Sequence, residues 1–195
     1  MSQRLIVGIS GASGVIYGIR LLEVLRACPD IESHLVVTKP AERTIVEETT
    51  YSVADVKAMA SVVHPITDIG ASIASGSFRA MGMVVIPCSI HTVSAIAYCV
   101  SDNLLTRAAD VVLKEGRKLV LVVREAPLHR GHLKSLLAAA EAGAVILPQV
   151  PAFYSQPKTL EDVIDHTVGR VLDHFGIAHD LFRRWGEPPT RASEA

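Results

Sequence analysis

The sequence predicts an α/β fold: a doubly wound, mostly parallel sheet in three layers, with helices on both faces. Three observations carry this. Strand-like and helix-like stretches alternate along the 195 residues. Four of the five main strand-like stretches are short apolar runs without polar alternation, as expected of strands buried on both faces. The composition is 49% hydrophobic but only 5% aromatic, dominated by Ala, Val, Leu and Ile, which suits a parallel sheet under helices.

In order, strands are expected at Leu5–Ile9, His34–Thr38, Met83–Pro87, Leu119–Val123 and Ala144–Leu147. Helices are expected at Gly14–Ala27, Ala41–Thr49, Thr92–Val100, Leu105–Gly116, Gly131–Ala142 and Leu160–Phe175, where apolar residues recur at helical spacing. Tyr51–Val56 begins a short capped helix, and Val62–Ile66 reads as a small edge strand. Gly70–Gly82 is rich in Ser, Ala and Gly and is expected to be a flexible flap. Right-handed crossovers turn this order into an open sheet, read as one domain over residues 1–187 with a disordered tail at 188–195.

Charge and composition exclude several classes of function. A net charge of −1 is unlike the basic face of a nucleic-acid-binding protein. No apolar run approaches the length of a membrane span, and the glycine-interrupted N-terminus reads as a first strand rather than a signal peptide. Cys28, Cys88 and Cys99 form no C-x-x-C pair, fit a reducing cytoplasm and are read as packing residues, the first and last in or beside helices.

In an open α/β sheet, ligands sit at the carboxyl ends of the strands. The residues just after each predicted strand are therefore the test. Ser10-Gly11-Ala12-Ser13 comes after the first, Thr38-Lys39-Pro40 after the second and Pro87-Cys88-Ser89-Ile90-His91-Thr92 after the third. Arg124-Glu125-Ala126-Pro127 comes after the fourth, and Pro148–Tyr154 after the fifth. Small, polar and charged groups thus collect at one sheet edge.

The glycine turn between the first strand and first helix offers backbone N–H groups and a helix N-terminus to a phosphate. Its glycines fall as G-x-x-G-x-x-G, not as the dinucleotide G-x-G-x-x-G. Thr38 and Lys39 stand where a ribose-binding acid would be expected, which favours a mononucleotide such as FMN over NAD. Ser89 and Thr92 serve either as a helix cap alone or as cap and ligand contact. Arg124-Glu125 reads as a structural ion pair or as an anion-binding Arg beside a catalytic carboxylate, and its place at the ligand edge favours the second. Arg107 and Lys114 share a helix face with Asp110 between them, either as a solvated face or a second phosphate site. His129 and His132 lack a third spaced ligand and read as a helix-start cap and surface residues; His166, His174 and His179 read as surface.

Gly11-Ala12-Ser13-Gly14, Pro87-Cys88-Ser89, Arg107–Glu115, Arg124–Leu128, Gly143–Pro148, Phe153-Tyr154 and Arg184-Trp185-Gly186 stand in order along the chain. This combination resembles the UbiX/Pad family of flavin prenyltransferases. Ser75–Arg79 with Met83–Pro87 further resembles the branch of that family paired with hydroxyarylic acid decarboxylases. The resemblance implies a flavodoxin-like, Rossmann-like fold and transfer of a dimethylallyl group from dimethylallyl phosphate to N5 and C6 of reduced FMN, without a metal. It implies a homo-oligomer, commonly a dodecamer with sites shared between chains, and a UbiD-type decarboxylase as recipient of the prenylated FMN. By the same resemblance, Gly11, Ala12, Ser13, Thr38, Ser89, Ile90, His91, Thr92 and Arg124 hold FMN. Lys114, Arg124, Tyr154 and Arg170 hold the allylic phosphate, with Trp185 as a nearby aromatic residue. Glu48 and Glu125 are the acid/base carboxylates, and Lys114 and Arg107 complete the catalytic set. Thr38 stands where relatives usually carry Ser, and His91 and the basic Leu128–Leu133 stretch also depart from the family pattern. The alternatives are an FMN-dependent cysteine decarboxylase of the same flavoprotein group, whose Asn/Met-rich substrate clamp is not found here, and a non-catalytic flavin-carrying accessory subunit.

Overall fold

The structure, a computed structural model, describes residues 2–186. The tail expected at 188–195 lies outside the described residues. Two compact units are distinguished, residues 1–149 and the chain from Val150 onward.

The first unit is built on six parallel strands: β1 (Gln3–Ile9), β2 (Ile31–Val37), β3 (Val62–His64), β4 (Gly82–Cys88), β5 (Lys118–Val123) and β6 (Val145–Ile146). Their order, β3-β2-β1-β4-β5-β6, places the topological switch between β1 and β4. β1 pairs with β2 from Gln3↔Ile31 to Ile9↔Val37 and with β4 from Leu5↔Gly82 to Gly8↔Val85. The intervening helices are α1 (Val15–Arg26), α2 (Lys39–Glu48), α3 (Val53–Ala58), α4 (Ile90–Ala97), α5 (Leu104–Lys114) and α6 (Arg130–Glu141).

Alternation along β1 shows why both faces are covered. Ile9 packs toward α1, where Gly18 lets the helix approach: a Cβ on Gly18 would lie 2.4 Å from the Ile86 carbonyl oxygen. Gly8 points the other way, toward Leu105 of α5. On that face Ile6, Met83, Val85, Leu119 and Leu121 form one core with Leu104, Leu105, Ala108 and Val112. Each fully buried Val, Leu, Ile or Met of this core contributes about 1.5–3 kcal/mol, so the sheet's carboxyl edge rests on a well-packed base.

Several expectations are corrected. The edge strand ends at His64, leaving Ile66 in the loop beyond it. Gly70–Gly82 is not a loose flap. It holds a 3₁₀ turn at Ser72–Ala74 with Ile73 buried, and Arg117 donates from its guanidinium to the carbonyls of Gly76 and Phe78. Cys99 lies beyond the end of α4, exposed and with φ 57°, so it is not a packing residue. Cys88 is fully buried, and burial pushes its thiol pKa far up, which leaves it a packing residue.

The second unit carries a 3₁₀ turn at Phe153–Ser155 and α7 (Leu160–Phe175), which starts on a capping box between Thr159 and Asp162. Gly169 permits the closing contact: a Cβ there would lie 2.5 Å from the Phe182 ring. Arg184 and His179 both reach Asp173, tying the C-terminal segment to α7. His166 and His179 are therefore buried rather than on the surface, at 8% for the whole residue and 2% for the side chain respectively.

Candidate active site

A cleft of about 620 Å³ opens at the carboxyl edge of the sheet, at the β1–β4 switch. Gly11, Ala12, Ser13, Thr38, Ser89, Ile90, His91, Thr92 and Arg124 all line it, and so does Glu125. Lys39 and Pro40, which follow the second strand at the expected ligand edge, line it as well, and Ile66, Asn103, Leu105 and Thr106, which sequence reasoning missed, complete the wall.

Helix starts dominate the lining. Thr38 caps α2, accepting from the Ala41 N–H at 3.3 Å. Ser89 caps α4, accepting from the Thr92 N–H at 3.3 Å, and its hydroxyl lies 3.0 Å from that of Thr92. Asn103 caps α5, accepting from the Thr106 N–H at 3.1 Å. Asn103 carried a readable signal, a short amide just ahead of an apolar helical repeat. Each helix start directs unpaired N–H groups and the positive end of its dipole into the same space, the electrostatics of an anion site.

The glycine turn is shaped from both sides. A side chain on Gly11 would strike Pro40, its Cβ 2.3 Å from that of the proline, so the backbone stays bare toward the cleft. Gly14 sits at φ 91°, a conformation that favours glycine, and its N–H donates to Glu48 Oε2 at 2.8 Å. Glu48 is not among the residues that line the cleft, and its carboxylate sits on the glycine turn. Beneath the turn, buried Ser10 joins β1 to β4. Its hydroxyl donates to the Pro87 carbonyl at 3.0 Å and accepts from the Ser89 N–H at 2.8 Å. Ser10 is among the residues after the first strand, but nothing local in the sequence marks its partners 77 and 79 positions away.

Arg124 and Glu125 do not form a structural ion pair. Among the described residues Arg124 has no ion-pair partner, while Glu125 accepts from the Ala126 N–H at 3.1 Å. A guanidinium free at a cleft lined by helix N-termini is suited to an anion, and the adjacent carboxylate to moving a proton. The cleft also suits FMN in size, in apolar walls from Ile66, Ile90 and Leu105, and in its donor-rich floor. No group of His, Cys, Asp and Glu among the described residues is placed to hold a metal.

Arg107 and Lys114 are not among the residues that line the cleft. Arg107 pairs with Asp110 at 2.9 Å and Lys114 with Glu115 at 2.7 Å. Lys114 is at the far end of α5 from Leu105, roughly 13 Å along the helix axis. In the second unit, Tyr154 meets Trp185 edge to face at 5.3 Å and His166 at 5.7 Å, and Arg170 stands one turn along α7 from His166. Tyr154, Arg170 and Trp185 thus gather within that unit.

The flavoprotein family matches residues 1–172. The chain is 60% identical over 185 residues to the flavin prenyltransferase UbiX of Escherichia coli (strain K12), which covers 94% of this chain and 98% of that protein. Among solved structures, AnUbiX (PadA1) in complex with FMN and dimethylallyl pyrophosphate is similar with a TM-score of 0.93 and 48% identity, over 96% of this chain and 99% of that one. A dodecameric FMN-dependent UbiX-like decarboxylase from Escherichia coli O157:H7 is similar with a TM-score of 0.93 and 51% identity, over 95% of this chain and 100% of that one.

Proposed function

Since this chain belongs to the flavoprotein family, and within it to the UbiX flavin prenyltransferases, we propose that it moves a dimethylallyl group from dimethylallyl phosphate to N5 and C6 of reduced FMN held in the cleft. The observation that carries this is the meeting, in one cleft, of the Gly11–Ser13 turn, three capped helix starts and an Arg124 free of ion pairs beside Glu125.

Gly11, Ala12, Ser13 and Thr38 would take the FMN phosphate on backbone N–H and hydroxyl donors. Ser89–Thr92 and Arg124 would line the flavin end. Reduced FMN, when bound, supplies the electron-rich N5 and C6 positions. Breaking an allylic C–O bond leaves negative charge on the departing phosphate. Arg124 stabilises that charge, and the family resemblance adds Tyr154 and Arg170 as candidate phosphate ligands. Closing the ring at C6 would spend the prenyl double bond, whose inner carbon gains one proton while the flavin carbon gives one up, and Glu125 Oε would accept the proton from the flavin carbon. Glu48, whose Oε2 accepts the Gly14 N–H of the glycine turn, is the second acid/base carboxylate of this reading. The family resemblance makes Trp185 a candidate aromatic face for the allylic cation.

The distance of Lys114 from the cleft of its own chain has a ready explanation in a homo-oligomer. Lys114 and Arg107 act at the cleft of a neighbouring copy, and the dodecameric relative supports such an assembly. The FMN-binding cleft lies in the first unit. The prenylated FMN passes to a UbiD-type decarboxylase, in the cytoplasm; no helix among the described residues is long and apolar enough to cross a membrane.

The test of the proposed roles is Glu125→Gln. The variant binds FMN with unchanged affinity and loses turnover by about 10²-fold or more, the usual range for a general base. Full turnover would remove Glu125 from the chemistry.

A further inference from the structure

Tyr154 is tethered inside the second unit by contacts that set the direction of its hydroxyl. Arg183 Nη2 donates to the Tyr154 carbonyl at 2.8 Å, and Trp185 flanks the ring. The hydroxyl lies 3.1 Å from His166 Nε2. His166 is itself fixed: it is buried, and the Phe182 ring packs 4.6 Å from its own. Burial, then the charge of Arg170, push its pKa below the usual histidine range, against a smaller opposing effect of Asp173. The imidazole is therefore neutral near pH 7.

A neutral imidazole offers either a lone pair or a proton at Nε2. If the lone pair faces Tyr154, the phenol proton is bound by the imidazole and the tyrosine shows a ligand only acceptor lone pairs. An anion gains nothing from that arrangement. If Nε2 carries the proton, it donates to Tyr154 Oη, and the phenol proton is left to point at a phosphate oxygen. The 3.1 Å contact serves either arrangement, but only the second makes Tyr154 a ligand for an anion.

We propose that His166 is a positioning residue for the allylic substrate: by donating from Nε2 to Tyr154 Oη, it makes the tyrosine hydroxyl a donor to the phosphate. This rests on the reading of Tyr154 as a phosphate-binding residue. His166 touches no substrate itself; it acts through the phenol.

The experiment is steady-state prenylation by the full chain, with reduced FMN saturating and dimethylallyl phosphate varied. His166→Phe keeps a ring of similar volume and removes both nitrogens. It raises KM for dimethylallyl phosphate about tenfold, the scale of one lost hydrogen bond to a charged group, while FMN affinity is unchanged and kcat moves less than about twofold. His166→Gln carries its amide nitrogen near the place of Nε2 and restores KM; His166→Asn, with its amide near the place of Nδ1, does not. This Gln–Asn pair decides the question even if the Phe variant fails to fold. Tyr154→Phe raises KM by itself, and adding His166→Phe to it has no further effect. A wild-type KM in His166→Phe, with KM raised in Tyr154→Phe, overturns the role of His166 and leaves that of Tyr154 standing. A wild-type KM in Tyr154→Phe overturns both. Equal KM in the Gln and Asn variants, or additive effects in the double variant, marks His166 as a packing residue only and overturns the proposal.

Discussion

Ser10 Oγ accepts the Ser89 N–H at 2.8 Å while donating to the Pro87 carbonyl at 3.0 Å, so one buried hydroxyl fastens the glycine turn after β1 to the helix start after β4. Those two segments supply seven of the nine residues assigned to FMN, Gly11–Ser13 and Ser89–Thr92. Their spacing is therefore set by a side chain that does not line the cleft. Ser10→Ala strands the Ser89 N–H and costs about 1–3 kcal/mol of stability. FMN binding weakens in step, and Ser10→Thr, which keeps the hydroxyl, preserves both. Urea unfolding and flavin fluorescence titration measure the two effects. Unchanged FMN affinity in Ser10→Ala would show that the turns hold their spacing without it.

Lys114 and the cleft of its own chain lie at opposite ends of α5. If Lys114 serves a neighbouring copy, Lys114→Ala and Glu125→Gln are each inactive alone. Assemblies that mix the two chains regain turnover, because some sites then take both native residues from different chains. Co-expression with two affinity tags and an assay of doubly purified material checks this. Mixed assemblies as inactive as either parent would place Lys114 in the site of its own chain or outside the chemistry.

His34 and His64 form a second histidine arrangement, away from the cleft. His34 Nδ1 lies 2.9 Å from His64 Nε2, and its Nε2 lies 2.8 Å from Glu32 Oε1. Burial lowers the pKa of both rings below 6.5, with Glu32 opposing the shift at His34. The unfolded chain, with ordinary histidines, then binds more protons than the folded one as pH falls below about 6.5. Their contribution to stability is complete above about pH 6.5 and declines as pH drops toward the folded pKa values. Unfolding free energies at a series of pH values check this, and His64→Gln flattens the profile between about pH 6.5 and 5. A profile already flat there in the native chain would contradict the assignment.

Much of the fold was legible because it depends on local pattern. β1, β4 and β5 are apolar runs, and the residues after them had to collect at one edge once the sheet was parallel. The nine FMN-binding assignments rest on that geometry together with the family resemblance, and all nine line the cleft. The features that were not legible depend on partners distant in sequence. The Gly70–Gly82 segment has the composition of a flexible loop, yet Arg117 holds Gly76 and Phe78 by their carbonyls and Ile73 is buried. His166 and His179 sit on an amphipathic helix and its exit, where histidine is usually exposed. They are buried because Phe182 folds back over Gly169. Ile66 and Asn103 meet at the cleft because the Leu104 N–H donates to the Ile66 carbonyl, a long-range bond with no sequence signature.

The central claim is that this chain prenylates FMN. The most direct test incubates the purified protein anaerobically with reduced FMN and dimethylallyl phosphate, then measures the mass of the extracted flavin. The account predicts a flavin heavier by one dimethylallyl group, formed by the native chain and not by Glu125→Gln. Unmodified FMN recovered from native protein that is folded and has FMN bound would contradict it.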